Sequence, residues 1–106
     1  MLLLATTTVG TPEDAEGMAE EAIALGLAAC VQICGIVSHY RWEGKPERSP
    51  ELQLTFKLIP SQLAALEAFV FDRHPYDTPE WIVVRPEKVA QKYLSWAEAN
   101  LTSPPL

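Results

Sequence analysis

Two thiols (Cys30, Cys34), two imidazoles (His39, His74) and two thioethers (Met1, Met18) are the residues of this chain with the softest donor chemistry. As a set they suit copper or zinc better than magnesium or calcium. Their spacing matches no Cys-x-x-Cys or His-Glu-x-x-His arrangement, and no glycine-rich phosphate loop accompanies them. A nucleophile and base could be assembled from Cys30 with His39 or His74, but nothing in the spacing singles out such a pair, so an enzymatic reading lacks a mechanism. The plain alternative for Cys30 is a small buried hydrophobe on an interior strand. Cys34, beside Gly35 at an expected bend, is the thiol expected to be the more exposed.

The second chemical stretch is "RHPYDTPEW", residues 73–81. Pro75 and Pro79 each lock a φ angle and bias the residue before them toward extended backbone. A stiff loop of this kind can hold His74, Tyr76, Asp77 and Glu80 in fixed positions, or it can serve as a rigid connector with Tyr76 packed on the core. Lys57 stands on the polar face of a strand beside Glu51, Gln53 and Thr55, where it is either a solvated lysine or a point charge for an anionic ligand. Tyr40, Arg41 and Trp42 could form a cation–π cluster, although aromatic residues on a hairpin more commonly serve core or interface.

The elements that must position these groups follow from periodicity. Residues 2–9, "LLLATTTV", read as a buried strand ending at Gly10. "TPED" supplies an N-cap at Thr11 with Pro12 in the first helical position, and Ala15, Met18, Ala19, Ala22 and Ile23 continue at helical spacing to Gly26. Residues 29–42 return to strand character, with a bulge or bend expected at Cys34-Gly35. "EGKPERSP" (43–50) reads as the turn, and 51–58 alternates cleanly between apolar and polar residues. A second helix runs from Pro60-Ser61 to near Arg73, "WIVV" (81–84) is a short strand, and Pro86 opens a third helix carrying Val89, Ala90, Tyr93, Leu94 and Ala97. The tail "TSPPL" (102–106) is expected to be irregular.

This order predicts an α+β fold, a ferredoxin-like β-α-β-β-α-β sandwich with an extra C-terminal helix and a long central β-hairpin, formed by residues 1–106 as a single domain. The surplus strand surface of that hairpin predicts an oligomer built through it.

Composition narrows the function. Of 106 residues 48% are apolar and 21% charged, within the ordinary globular range. The net charge is -6, and residues 1–40 carry five acids and no Lys or Arg. An acidic chain without a basic stripe lacks the electrostatic footprint of a nucleic-acid or anionic-membrane partner. The apolar start is too short and lacks the basic flank of a signal peptide. Cys30 and Cys34 lie about 13 Å apart if both sit on one extended strand, beyond bridging distance. Two unpaired thiols fit a reducing, cytoplasmic setting.

Five blocks, "AACVQI" (28–33), "YRWEGK" (40–45), "ELQLTFK" (51–57), "HPYDTPE" (74–80) and "YLSW" (93–96), occur in the order and spacing of the CutA family of divalent-cation tolerance proteins, which the chain resembles. The resemblance implies a homotrimer similar in plan to the PII signalling proteins, tied to tolerance of copper and other divalent metals, with no obligatory cofactor. It implies a cleft between subunits holding Cys30 and His74 as metal ligands, Lys57 and Glu80 as fixed charges, and Tyr76, Trp42 and Trp96 as further ligand-binding groups. A PII-like sensor or scaffold that binds a small anionic ligand through Lys57 and His74 is the alternative. The chain departs from the family at Gln32, where Asn is usual, at Asp77, where Glu is usual, and at Cys34, where Pro is common.

Overall fold

A computed structural model describes residues 1–100. In chain order the elements are β1 (Leu3–Val9), α1 (Pro12–Ala24), β2 (Cys30–Trp42), β3 (Lys45–Leu58), α2 (Leu63–Arg73), β4 (Ile82–Val84) and α3 (Gln91–Ala99). The strands form one sheet in the order β2-β3-β1-β4 with every neighbouring pair antiparallel. This is the expected split βαβ sheet followed by one more helix.

Side-chain alternation gives the sheet two unlike faces. Leu3, Ala5 and Val9 of β1 and Leu54, Phe56 and Leu58 of β3 point to one side and are buried with Ala15, Met18 and Ala22 of α1 and Leu66, Phe69 and Val70 of α2. Phe56 is fully excluded from water, and burial of such a side chain stabilises by roughly 1.5–3 kcal/mol. The other, open face carries Cys30, Gln53, Thr55, Lys57, Ile82 and Val84, and both Ile82 and Val84 are exposed.

The helix signals before and after α1 act as read. Thr11 Oγ1 accepts the backbone N–H of Asp14 at 3.1 Å. At the other end Gly26 adopts φ +69, its N–H donates to the Ile23 carbonyl and that of Leu27 to the Ala22 carbonyl, which closes the helix as a Schellman motif. Ile23, expected on the apolar stripe, is instead 45% exposed. Before α2, Pro60–Gln62 forms a 3-10 turn. The buried Gln62 side chain is satisfied there, accepting from the Ile59 N–H and donating to the Gly26 carbonyl.

Three expectations are corrected. The stretch 43–50 is not a turn: Glu43 and Gly44 alone connect the strands, both at positive φ, and Lys45–Glu51 pairs with β2. Pro46 and Pro50 are tolerated because β1 reaches only Leu52, so no third strand requires their missing N–H groups. No bulge occurs at Cys34-Gly35, since the β2–β3 register runs one to one from Cys30↔Lys57 to Trp42↔Lys45. The parity there is blurred because Ile36 and Cys34 are apolar residues on the open face. The third helix starts at Gln91 rather than Pro86, with Ala90 as an N-cap that supplies no side-chain hydrogen bond. The expectation for 102–106 lies outside the described residues.

Candidate functional site

His74 follows the last residue of α2, where Pro75 forces it into extended backbone (φ -68, ψ 132). Its ring reaches back to β1. Nε2 lies 3.0 Å from Thr7 Oγ1, and the Tyr76 backbone N–H donates to Nδ1 at 3.0 Å. An Nδ1 that accepts must be bare, so the proton sits on Nε2, which donates to Thr7, with the Thr8 carbonyl as a further acceptor. Burial lowers the His74 pKa below its ordinary value, opposed by the Thr8 carbonyl and the charges of Asp14 and Glu51. The ring is therefore held as a neutral imidazole with both nitrogens occupied.

Tyr76 packs its ring on that of His74 with centroids 5.0 Å apart and donates its hydroxyl to Glu51 Oε2 at 2.9 Å. Its hydroxyl oxygen lies 3.2 Å from where a Cβ on Gly10 would stand, so a larger residue there would have to push the hydroxyl away by a few tenths of an ångström. Loss of solvent, then the hydrogen bond to Glu51 and the negative charge of that carboxylate, push the Tyr76 pKa up to about 12. The loop thus joins the end of α2, the end of β1 and the third strand. Glu80 is half-buried at the far end of the same loop.

A second cluster occupies the open face. Cys30 and Lys57 are direct cross-strand partners, Cys30 half-buried and Cys34 exposed, both as free thiols. Lys57 Nζ donates to Tyr93 Oη at 3.2 Å and lies 5.3 Å from the centre of that ring. Tyr93 in turn packs against Trp96, with centroids 5.5 Å apart, and Trp96 is 45% exposed. Lys57 makes no ion pair among the described residues. The Tyr40-Arg41-Trp42 group does not stack: Tyr40 bonds Ser49 and Arg41 bonds the Gly44 carbonyl.

The residues expected in one site therefore fall into separate places. Cys30 and Lys57 share the open face, whereas His74 is bonded to Thr7, which faces the helices. Trp42 and Cys30 are opposite ends of the 13-residue β2, about 40 Å apart at strand rise. Among the described residues no three His, Cys, Asp or Glu side chains come together to hold a metal ion. Sequence reasoning missed Thr7 and Glu51 as partners of the loop. A Thr at an inward position of an apolar strand was the available signal for the first, and Glu51 carried none.

The CutA1 divalent ion tolerance protein family model matches residues 3–100. A "Divalent-cation tolerance protein CutA" from Yersinia pestis is 40% identical over 88 residues, covering 82% of this chain and 74% of that protein. Among solved structures, CutA from Synechococcus elongatus superposes with a TM-score of 0.92 at 40% identity, covering 95% of this chain and 90% of the other. A protein from Archaeoglobus fulgidus described as a "Periplasmic divalent cation tolerance protein CutA" superposes with a TM-score of 0.90 at 30% identity, covering 95% and 99%. No helix among the described residues is long and apolar enough to cross a membrane.

Proposed function

The chain belongs to the CutA1 divalent ion tolerance protein family, and on that premise we propose that it is a homotrimeric, cytoplasmic divalent-cation tolerance protein that binds copper or another divalent metal in clefts between copies. The observation that carries this reading is the separation of Trp42 from Cys30 along one strand. A single chain cannot bring them together, and a neighbouring copy can. The hairpin beyond Leu52 is a two-stranded ribbon without further sheet support, an arrangement marginal in isolation and stabilised when a second copy packs on it. The free thiols support a reducing compartment. Cys30 is a half-buried soft donor on the open face, which also carries the exposed Cys34, and His74 joins Cys30 as a ligand only by releasing the Tyr76 N–H or the Thr7 hydroxyl.

A second reading is favoured by Lys57. Its ammonium meets only the Tyr93 hydroxyl and ring and no carboxylate, so a small anionic ligand beside Trp96 would complete it. Titration of the purified protein with Cu(I), Cu(II) and Zn(II), repeated for Cys30→Ser and His74→Ala, separates the two. Loss of tight binding in both variants is expected for the first reading, and unchanged binding in both removes these ligands. Absence of tight binding in the parent removes direct metal handling and leaves the anion reading, for which Lys57→Ala should abolish ligand-induced thermal stabilisation. A monomer in light scattering at micromolar concentration would refute the trimer, and recovery in the periplasmic fraction would refute the location.

A further inference from the structure

The fold treats the two ring nitrogens of His74 unequally. Nε2 lies 3.0 Å from Oγ1 of Thr7, a fully buried residue of β1, and the Thr8 carbonyl is its further acceptor. Nδ1 faces the loop and accepts the Tyr76 N–H at 3.0 Å. Pro75, Tyr76, Asp77 and Thr78 of that loop are all exposed. One nitrogen is turned into the subunit and the other toward solvent. We propose that His74 binds a divalent metal through Nδ1, and that Thr7 is the positioning residue that holds the ring proton on Nε2 and so keeps Nδ1 bare; the proposal rests on the metal-binding reading above.

A metal takes a lone pair, so the nitrogen it uses must carry no proton. Nδ1 already meets that condition. Binding there breaks one hydrogen bond, from the Tyr76 N–H, and moves no proton. The released N–H belongs to an exposed residue, where water can take the place of the imidazole. Binding at Nε2 asks for more. The proton must leave Nε2, which strips Thr7 and the Thr8 carbonyl of their donor in a dry part of the subunit, and buried polar groups left without a partner cost more than those handed over to solvent. If the proton stays on the ring it arrives at Nδ1, where it meets the Tyr76 N–H donor against donor.

The surroundings of Nε2 are those a ligating imidazole requires. Such a ring gives its other N–H to an oxygen acceptor, which fixes the tautomer and the ring orientation. Here two adjacent residues supply the acceptors, and the sheet holds both in place through the pairs Thr7↔Leu54 and Thr8↔Gln53. A hydroxyl on the dry side of an apolar strand is costly unless it is hydrogen-bonded, and His74 is the side-chain partner of Thr7. The Tyr76 ring, with its centroid 5.0 Å from that of His74, restrains the imidazole from the loop side. The charges of Asp14 and Glu51 act on the ring and favour a cation beside it.

The test uses Zn(II), which has no redox chemistry, and protein carrying isotope-labelled imidazole nitrogens. Long-range proton–nitrogen NMR spectra should show the His74 proton on Nε2 before and after saturation, while the Nδ1 resonance leaves the position of a bare nitrogen and the Tyr76 amide loses its hydrogen-bonded shift. Zn(II) affinity, read by competition with a chromophoric chelator, should fall about tenfold in Thr7→Val and return close to that of the parent in Thr7→Ser, which restores the hydroxyl. Circular dichroism checks that both variants are folded, and the parent spectra decide between the two nitrogens whether or not they are. Coordination through Nε2, an affinity unchanged in Thr7→Val, or a loss that Thr7→Ser does not recover overturns the proposal and leaves metal binding standing. A parent that binds Zn(II) with no change at either nitrogen removes His74 from the site and this proposal with it. A parent that binds no Zn(II) overturns the metal reading as well.

Discussion

The backbone N–H of Tyr76 donates to Nδ1 of His74 at 3.0 Å, which fixes the single ring proton on Nε2 and directs it at Thr7. A loop containing two prolines is thereby tied to the end of β1 through one imidazole. The Tyr76 hydroxyl then ties the same loop to Glu51 at the base of the hairpin ribbon. Three parts of the fold meet at this loop, so its stiffness comes from hydrogen bonds as much as from proline.

Stability should fall on mild acidification because of His74. Burial lowers its folded-state pKa below the ordinary value of 6.5, so just below that pH the unfolded chain binds more protons than the native one. The stabilisation is present above the unfolded pKa and is lost as pH falls through the folded one. Protonation of Nδ1 would also remove the acceptor of the Tyr76 N–H. Urea midpoints from about pH 7.5 to pH 5 should fall more steeply for the parent than for His74→Gln; parallel curves would contradict this.

Tyr76 should ionise only at strongly alkaline pH. Its pKa is pushed up to about 12 from 10.0, by desolvation first and then by Glu51. A raised folded pKa stabilises fully below pH 10 and loses that contribution as pH rises through 12. Absorbance titration of tyrosinate should show a component near 12 that disappears in Tyr76→Phe and moves down in Glu51→Gln. A component that persists in Tyr76→Phe would assign it elsewhere.

Thr7→Val keeps the shape of a fully buried residue and removes the oxygen that His74 Nε2 bonds. Leaving a buried donor unsatisfied costs about 1–3 kcal/mol, and the Thr8 carbonyl places this case at the lower end. Chemical denaturation should report a loss of about 1 kcal/mol. No loss would show that the imidazole proton is satisfied without Thr7.

What could be read from the sequence was what depends on local signals. Thr11, Pro12 and Gly26 set the ends of α1 through their own backbone chemistry, and residues 51–58 alternate because one face is dry. The hairpin was misread because Pro46, Pro50 and four charges look like a turn, whereas they mark a ribbon with solvent on both sides. Pro86 suggested a helix start, but the helix begins at Gln91. The site was harder, since Thr7 and His74 are 67 residues apart and only the packing of the loop after α2 against β1 brings them together. The separation of Cys30 from Trp42 was implicit once both lay on one strand.

The turn at the ribbon tip gives a prediction about the fold itself. Glu43 and Gly44 adopt φ 52 and 77 between the paired Trp42 and Lys45, the two-residue geometry that matches strand twist. Glycine adopts it without steric cost, but Glu43 brings its Cβ against the following carbonyl, at a cost of about 1–2 kcal/mol. Arg41 donates to the Gly44 carbonyl and helps to hold the turn despite that strain. Asparagine tolerates left-handed backbone better because its short side chain bonds locally. Glu43→Asn should therefore stabilise by a few tenths to about 1 kcal/mol, and Gly44→Ala should destabilise by about 1 kcal/mol or more. Both are read from thermal or urea unfolding at fixed protein concentration, since assembly shifts the apparent midpoint. A Glu43→Asn protein less stable than the parent would mean that the glutamate side chain makes a compensating contact in the assembled state.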